Sequence, residues 1–389
     1  MAPLPVLHVL DSHHVGGAEY AWLDLIDLLQ ASDRAREHRF VCPPDPEYDG
    51  VAERAERAGL RCAGRLQIER TLDLRGRRAF AEVVRPSGGA AAIVQFNLNK
   101  TDSCRHQIAV ARRLGGTSLI ATLHGFASFR SAPSWKRFRC ARALRSLDRI
   151  VAVSTPLRDH ATALAPDVPA SVIPNFVPDA RMARASALRA TREAMRRELA
   201  LESDQVAAVS IATSVGGKGQ DSLVEQLPRA LARLPHFVLV LVGRDHAGTA
   251  ARLRSRARAL GCEAALRFAG WRDDVLEVLV ACDALVHAPK SEGLGRVIQE
   301  AMAVELPVVS YAVGGVVDLV ADGRTGLLVE PDRAERLIDR LVDLLADRST
   351  AAVAGRAGAE RLRAEFSAAT VLAAWSALYA GLDTEPNAR

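Results

Sequence analysis

Short apolar runs alternate along this chain with longer stretches whose apolar positions recur three and four residues apart. The short runs predict strands at 6–10, 40–42, 92–96, 119–123, 150–153 and 172–173. A second series follows at 206–212, 237–242, 266–269, 284–287, 308–310 and 327–329. The amphipathic stretches between them predict helices, among them 18–30, 103–114, 222–234, 247–260 and 334–345. Such alternation builds parallel sheets with helices on both faces. The unbroken run Phe237-Val238-Leu239-Val240-Leu241-Val242 reads as a strand buried on both sides.

The alternation breaks at Pro174-Asn175-Phe176-Val177-Pro178, where an Arg/Ala-rich helical stretch leads to a fresh strand. The chain therefore reads as α/β, with two doubly wound, Rossmann-like domains facing a central cleft. Their expected bounds are 1–175 and 176–365. Residues 366–389 form a helix and tail, with Trp375 and Tyr379 at helical spacing, expected to pack back on the first domain. Ligands of such sheets sit beyond the carboxyl ends of the strands.

Composition adds limits. Apolar residues are 49% and charged residues 25% of 389, a globular composition. A net charge of +5 and a pI near 9.0 are too mild to indicate nucleic acid, but suit an anionic substrate or membrane surface. The six cysteines are scattered, with no C-x-x-C and no zinc-ligand spacing, so a reduced compartment and no metal are expected. The first residues lack a basic leader region, and no run of 18 apolar residues occurs. A cytoplasmic protein is expected, with peripheral contact at the inner face of the membrane as an option.

Chemistry concentrates where predicted strands end. After the first comes Ser12-His13-His14-Val15-Gly16-Gly17-Ala18-Glu19, whose paired glycines let backbone approach a ligand. A plain strand–helix turn would carry the same residues, and the dinucleotide fingerprint G-x-G-x-x-G is absent. Leu123-His124-Gly125 ends another strand, and His124 suits a sugar hydroxyl, proton transfer or a structural loop. Thr213-Ser214-Val215-Gly216-Gly217-Lys218-Gly219 is a glycine-rich loop holding one of only four lysines. Its backbone and Lys218 suit a diphosphate, although it does not match the Walker pattern. Arg267-Phe268-Ala269-Gly270-Trp271 closes a further strand and suits a nucleobase. Glu292-Gly293-Leu294-Gly295-Arg296 opens a helix with a second acid, Glu300, eight residues on. Eight residues are about two and a quarter helical turns, so the two acids lie near one face, on either side of N–H groups suited to phosphate.

Taken in order, these motifs resemble the GT-B-fold retaining glycosyltransferases of family 4. The likeness is strongest over 266–330. Besides Arg267 to Trp271 and the E-x7-E pair, it includes Pro307-Val308-Val309, Gly314-Gly315-Val316 and Asp322-Gly323-Arg324-Thr325-Gly326. Gly16-Gly17-Ala18-Glu19, His124-Gly125, Val153-Ser154 and Ile173-Pro174-Asn175 fit the N-terminal half. The resemblance implies a metal-independent enzyme without a cofactor, moving a hexose from a nucleotide diphosphate sugar, UDP-sugar by family frequency. It implies that Glu292 and His124 meet the transferred sugar and that Lys218 neutralises the diphosphate. The N–H groups of Gly293, Leu294 and Gly295 would meet sugar and diphosphate, and Glu300 the ribose. Gly16 and Gly17 would approach phosphates or acceptor, while Gly217, Arg267 and Phe268 complete the donor side. Three positions depart from the pattern: Thr213 replaces an arginine, Glu305 a small residue and Phe176 a glycine. The loss at Thr213 implies either a weaker hold on the diphosphate or a share in it for Lys290 or Arg296.

The acceptor is expected to be a hydroxyl, on a lipid-linked or envelope glycan. The segment Phe129-Arg130-Ser131-Ala132-Pro133-Ser134-Trp135-Lys136-Arg137-Phe138-Arg139 mixes aromatic and basic residues without an acid, as at an anionic membrane interface. A soluble basic helix would look the same. The rival functions are an NDP-sugar epimerase and a catalytically weak sugar-nucleotide-binding protein.

Overall fold

The computed structural model describes residues 3–12, 14–68, 72–85, 92–126, 134–214, 217–245 and 248–384. The chain divides into two compact units, one of Met1–Phe176 with Ala368–Arg389, the other of Val177–Ser367. Each is a Rossmann-like layer of helices on both sides of a parallel sheet.

Unit 1 runs β1 (Val6–Leu10), α1 (Gly17–Ser32), β2 (His38–Cys42), α2 (Asp49–Arg57), β3 (Arg61–Arg65), α3 (Leu74–Val84), β4 (Ala92–Leu98), α4 (Arg105–Leu114), β5 (Thr117–Leu123), α5 (Ser134–Leu144), β6 (Arg149–Ala152), α6 (Thr155–Leu164) and β7 (Ala170–Val172). Its strand order is β3-β2-β1-β4-β5-β6-β7, so direction of winding reverses between β1 and β4. The edge strand β3 escapes the apolar pattern because Arg61 is exposed and none of Arg61-Cys62-Ala63-Gly64-Arg65 is fully buried. An edge strand needs little apolar surface.

Unit 2 runs α7 (Asp179–Ala187), α8 (Arg192–Glu198), β8 (Val206–Ser214), α9 (Gln220–Glu225), α10 (Leu227–Arg233), β9 (Phe237–Arg244), α11 (Thr249–Ala259), β10 (Leu266–Gly270), α12 (Val275–Ala281), β11 (Ala284–His287), α13 (Arg296–Ala303), β12 (Val308–Tyr311), α14 (Val316–Leu319), β13 (Gly326–Val329), α15 (Ala334–Ala346) and α16 (Arg348–Glu365). Its order, β10-β9-β8-β11-β12-β13, repeats the same reversal between β8 and β11. The helix expected over 222–234 is two, α9 and α10, because Pro228 stands in the first turn of the second. Proline lacks the N–H and crowds the carbonyl four residues back. The helix expected over 103–114 begins only at Arg105, since Cys104 has a left-handed φ of 53°.

The final helix, α17 (Ala368–Thr384), belongs to unit 1. Val371, Trp375, Tyr379 and Leu382 pack on Val6, Ile93, Ile120 and Val151 of four strands. Each large side chain so buried contributes roughly 1.5–3 kcal/mol. Polar contacts fix its register: the Tyr379 hydroxyl donates to Gln95 Oε1 at 2.6 Å, and Arg36 holds Asp383 at 2.6 Å.

Candidate active site

Both winding reversals carry polar clusters at the carboxyl ends of their strands, where open α/β sheets place ligands. In unit 2, β8 ends at Ser214 and β11 at His287. Lys218 lies in the turn after β8 with φ 54° and ψ 33°, a conformation uncommon for a residue with a side chain. Gly219 follows with φ +79°; a Cβ there would stand 2.0 Å from the Ala288 carbonyl oxygen. The turn after β8 therefore rests directly on the loop after β11, and only glycine permits the approach.

That approach brings Lys218 Nζ to within 2.8 Å of Glu292 Oε2, with the Ser291 carbonyl at 3.4 Å. His287 Nε2 meets the same carboxylate oxygen at 3.0 Å. Burial alone would raise the Glu292 carboxyl. The His287 hydrogen bond and the Lys218 charge outweigh it and hold the group at about 2. Glu292 is thus a carboxylate at neutral pH, able to accept hydrogen bonds but with no proton to give. The loop is closed by the Gly315 N–H, which donates to the Glu292 carbonyl at 3.1 Å.

Gly295 then turns the chain into α13 with φ +106°, and no side chain caps that helix. Its first N–H groups add positive potential beside Glu292 and Lys218. Glu300, eight residues beyond Glu292, is 9% exposed. Its Oε1 accepts from Arg181 at 2.8 Å and from Arg296 at 3.4 Å. Arg296 is therefore committed to Glu300. Arg267 donates to the carbonyls of Ala200, Ala264 and Leu266, at the start of β10, while Phe268 lies under Arg254 at 5.1 Å. Those two side chains occupy a different neighbourhood from the Lys218–Glu292 pair. At the carboxyl end of β10, Trp271 stacks under Arg244 at 4.2 Å. Asp273 and Asp274 are already engaged by Trp271 Nε1 and Arg272. Gly217 lies in the turn beside Lys218, and Gly216 falls outside the described residues. Among the described residues no three or more His, Cys, Asp or Glu side chains gather as a metal site.

In unit 1, Gly16 and Gly17 open α1. A Cβ on Gly17 would meet nothing within 4 Å, so packing does not demand glycine there. Glu19 is 1% exposed and far from a solvated first-turn acid. It accepts from the Gly16 N–H at 2.9 Å, from Asn99 Nδ2 at 2.8 Å and from the Tyr48 hydroxyl at 3.3 Å. The glycine turn after β1 is thereby clamped to the end of β4. His124, after β5, meets Asn97 Oδ1 through Nε2 at 2.8 Å. Burial pushes its pKa down to about 4, so the ring is neutral at pH 7. Gly125 is required by contact: its Cβ would stand 2.5 Å from the Asn99 carbonyl oxygen.

Four participants were not singled out from sequence: His287, Asn97, Asn99 and Arg181. The first three left a signal, since each is a polar residue closing or following an otherwise apolar strand. Arg181 left none, because it sits 119 positions from its partner among many arginines.

Comparison with known proteins bears on the family and the fold. The model of "Glycosyltransferase Family 4" matches residues 15–181 and that of "Glycosyl transferases group 1" matches 191–361. The lipopolysaccharide core biosynthesis glycosyltransferase LpsE of Rhizobium meliloti is 34% identical over 48% of this chain and 53% of its own length. The chain thus spans about half of that relative. The GDP-mannose-dependent alpha-(1-6)-phosphatidylinositol monomannoside mannosyltransferase of Mycobacterium tuberculosis is 29% identical over 76% of each chain. Among solved structures, Anabaena Alr3699/HepE in complex with UDP aligns with a TM-score of 0.81 at 20% identity, covering 97% of this chain and 100% of that one.

Proposed function

This chain belongs to the GT-B group 1/family 4 glycosyltransferases, and from that membership we propose that it moves a hexose from a nucleotide diphosphate sugar to a hydroxyl acceptor, with retention. The observation that carries the reading is the Lys218–Glu292 contact at 2.8 Å, beside the start of α13. An ammonium, helix N–H groups and a carboxylate in one place match a diphosphate and a sugar. Lys218 and the α13 start stabilise the leaving diphosphate, with Gly217 on the donor side of the same turn. Glu292 and the N–H groups of Gly293, Leu294 and Gly295 orient the sugar, and the neutral His124 ring is a hydrogen-bonding group suited to a sugar hydroxyl. The acceptor hydroxyl attacks the anomeric carbon on the face the diphosphate leaves, and the leaving phosphate takes its proton. Gly16 and Gly17 serve the phosphate or acceptor. The base is framed at the carboxyl end of β10, by backbone and Trp271 more than by the Arg267 side chain.

UDP is the nucleotide we favour on family frequency alone, and GDP is its rival, since the mannosyltransferase relative matched over 76% of this chain is GDP-mannose-dependent. The acceptor we favour is a lipid-linked or envelope glycan, since the relatives above are a lipopolysaccharide core glycosyltransferase and a phosphatidylinositol monomannoside mannosyltransferase. Membrane contact would run through α5, of which Ser134–Leu144 is described; residues 129–133 of the predicted segment lie outside the described residues. A screen of nucleotide sugars for nucleotide release and transfer tests the whole reading. Binding without release would mark a sugar-nucleotide-binding protein, and release with an altered free sugar an epimerase.

Two further results are expected. Glu300→Gln raises KM for the donor with kcat nearly held, because the ribose does not react. Arg181 and Arg296 lose a charged partner at the same time, so the effect on KM is about ten-fold or more, at roughly 1.5–3 kcal/mol for a charged hydrogen bond. Steady-state kinetics decide it: a large fall in kcat at unchanged KM contradicts the ribose role. Activity also survives EDTA, since Lys218 and helix N–H groups occupy the role of a cation. Loss with EDTA and rescue by Mg²⁺ or Mn²⁺ would remove that account.

A further inference from the structure

In unit 1, α3, α4 and α5 surround an open pocket of about 540 Å³. Arg77, Arg105, Arg112, Arg113, Arg139 and Arg142 all line it, and no carboxylate is among the lining residues. On α4 the lining positions 105, 109, 112 and 113 follow helical spacing, and on α5 positions 139, 142 and 143 do the same, with Ser146 just beyond its end. Two basic stripes therefore border one hollow. Like charges held together repel, and the arrangement is relieved by an anion. Arg112 is anchored by the Ser146 carbonyl and Asp148, both at 2.7 Å, and Arg139 lies over Trp135 at 5.4 Å. At the wall, His106 is 8% exposed, and its Nε2 and the Arg105 Nε are buried without a hydrogen-bond partner among the described residues. Burial, then Arg105, Arg139 and Arg77, lower the His106 pKa, which registers the local excess of positive charge.

We propose that this pocket is a second ligand site, which binds phosphate oxyanions. Guanidinium groups pair bidentately with phosphate, and several around one hollow suit a diphosphate or a phosphodiester better than a lone carboxylate. The volume lies within the range of small-ligand sites. The surroundings favour a phosphate at a lipid surface as the source. Leu72 and Leu74 are 87% and 75% exposed at the α3 side, and Trp135 and Phe138 are 56% and 65% exposed on α5. Apolar side chains beside a phosphate site can enter the headgroup region while the arginines hold the charge.

The test uses the whole chain carrying Lys218→Ala, so that anions are not drawn to the turn after β8. Inorganic pyrophosphate is titrated by calorimetry, with the His106 ring resonances as the local readout. Cosedimentation is measured with vesicles of phosphatidylglycerol and phosphatidylcholine in equal parts, against phosphatidylcholine alone. Arg113→Glu/Arg142→Glu alters two exposed pocket residues, and Arg34→Glu/Arg57→Glu, exposed and outside the pocket, is the charge-matched control, with melting curves checking the fold of each. Pyrophosphate binding that falls at least about ten-fold in the pocket variant, is kept in the control and shifts His106 supports the site. Vesicle binding with the same dependence identifies a lipid phosphate as the source; pyrophosphate binding without vesicle binding identifies a soluble one. If neither probe binds, or binding ignores Arg113→Glu/Arg142→Glu, the proposal is overturned.

Discussion

Replacing Lys218 with alanine is expected to cut turnover about ten- to a hundred-fold in a protein that still folds. The ammonium is aimed at the Glu292 carboxylate at 2.8 Å and is the only lysine or arginine side chain bonded to it among the described residues. A charge-assisted hydrogen bond to a developing phosphate charge is worth roughly 1.5–3 kcal/mol, which sets that range. The family's usual second cation is Thr213 here, and Arg296 is spent on Glu300. Little remains to compensate except Lys290 and the α13 start. The fold should tolerate the change, because Lys218 is exposed and Glu292 keeps the His287 hydrogen bond at 3.0 Å. Single-turnover transfer with a matched melting curve decides it. Unchanged kinetics would take Lys218 out of the site.

Gly219→Ala should destabilise unit 2 by about 2–5 kcal/mol and abolish donor binding with it. A left-handed φ costs a side-chain residue about 1–2 kcal/mol. Overpacking adds about 1–3 kcal/mol, since the new Cβ meets the Ala288 carbonyl at 2.0 Å and backbone cannot swing aside like a flexible side chain. For a unit of this size the melting temperature should fall roughly 5–15 °C. Gly261→Ala is the control. Its φ of +72° is as unfavourable, but nothing lies within 4 Å of its Cβ, so it should show only the backbone part. Equal losses at both positions would mean that the contact between the two loops contributes nothing.

Much of this molecule was legible in advance, for reasons that differ from residue to residue. The apolar runs of inner strands such as β4, β5 and β9 could be read because a strand buried on both faces must be apolar over its own short length. The glycine-rich turns and the acid pair could be placed at strand ends for the same local reason. Edge strand β3 could not be read, because an edge carries no such requirement. Glu19 suits the first turn of a helix on sequence grounds, and its burial is visible only with Tyr48 and Asn99 folded around it.

What the sequence determined by itself is the class of the fold and the chemical types at the strand ends, since burial pattern and turn chemistry are properties of neighbouring residues. The constellations were decided by tertiary structure alone. Lys218 meets Glu292 across 74 positions, and Asn99 meets Glu19 across 80. Both meetings depend on β1 lying beside β4 and β8 beside β11, an order that no local window encodes. The pairing of Arg181 with Glu300 and the convergence of six arginines on one pocket of unit 1 have the same origin. A charge declares its type along the chain, but its partner is set by which elements the sheet order and helix packing bring together.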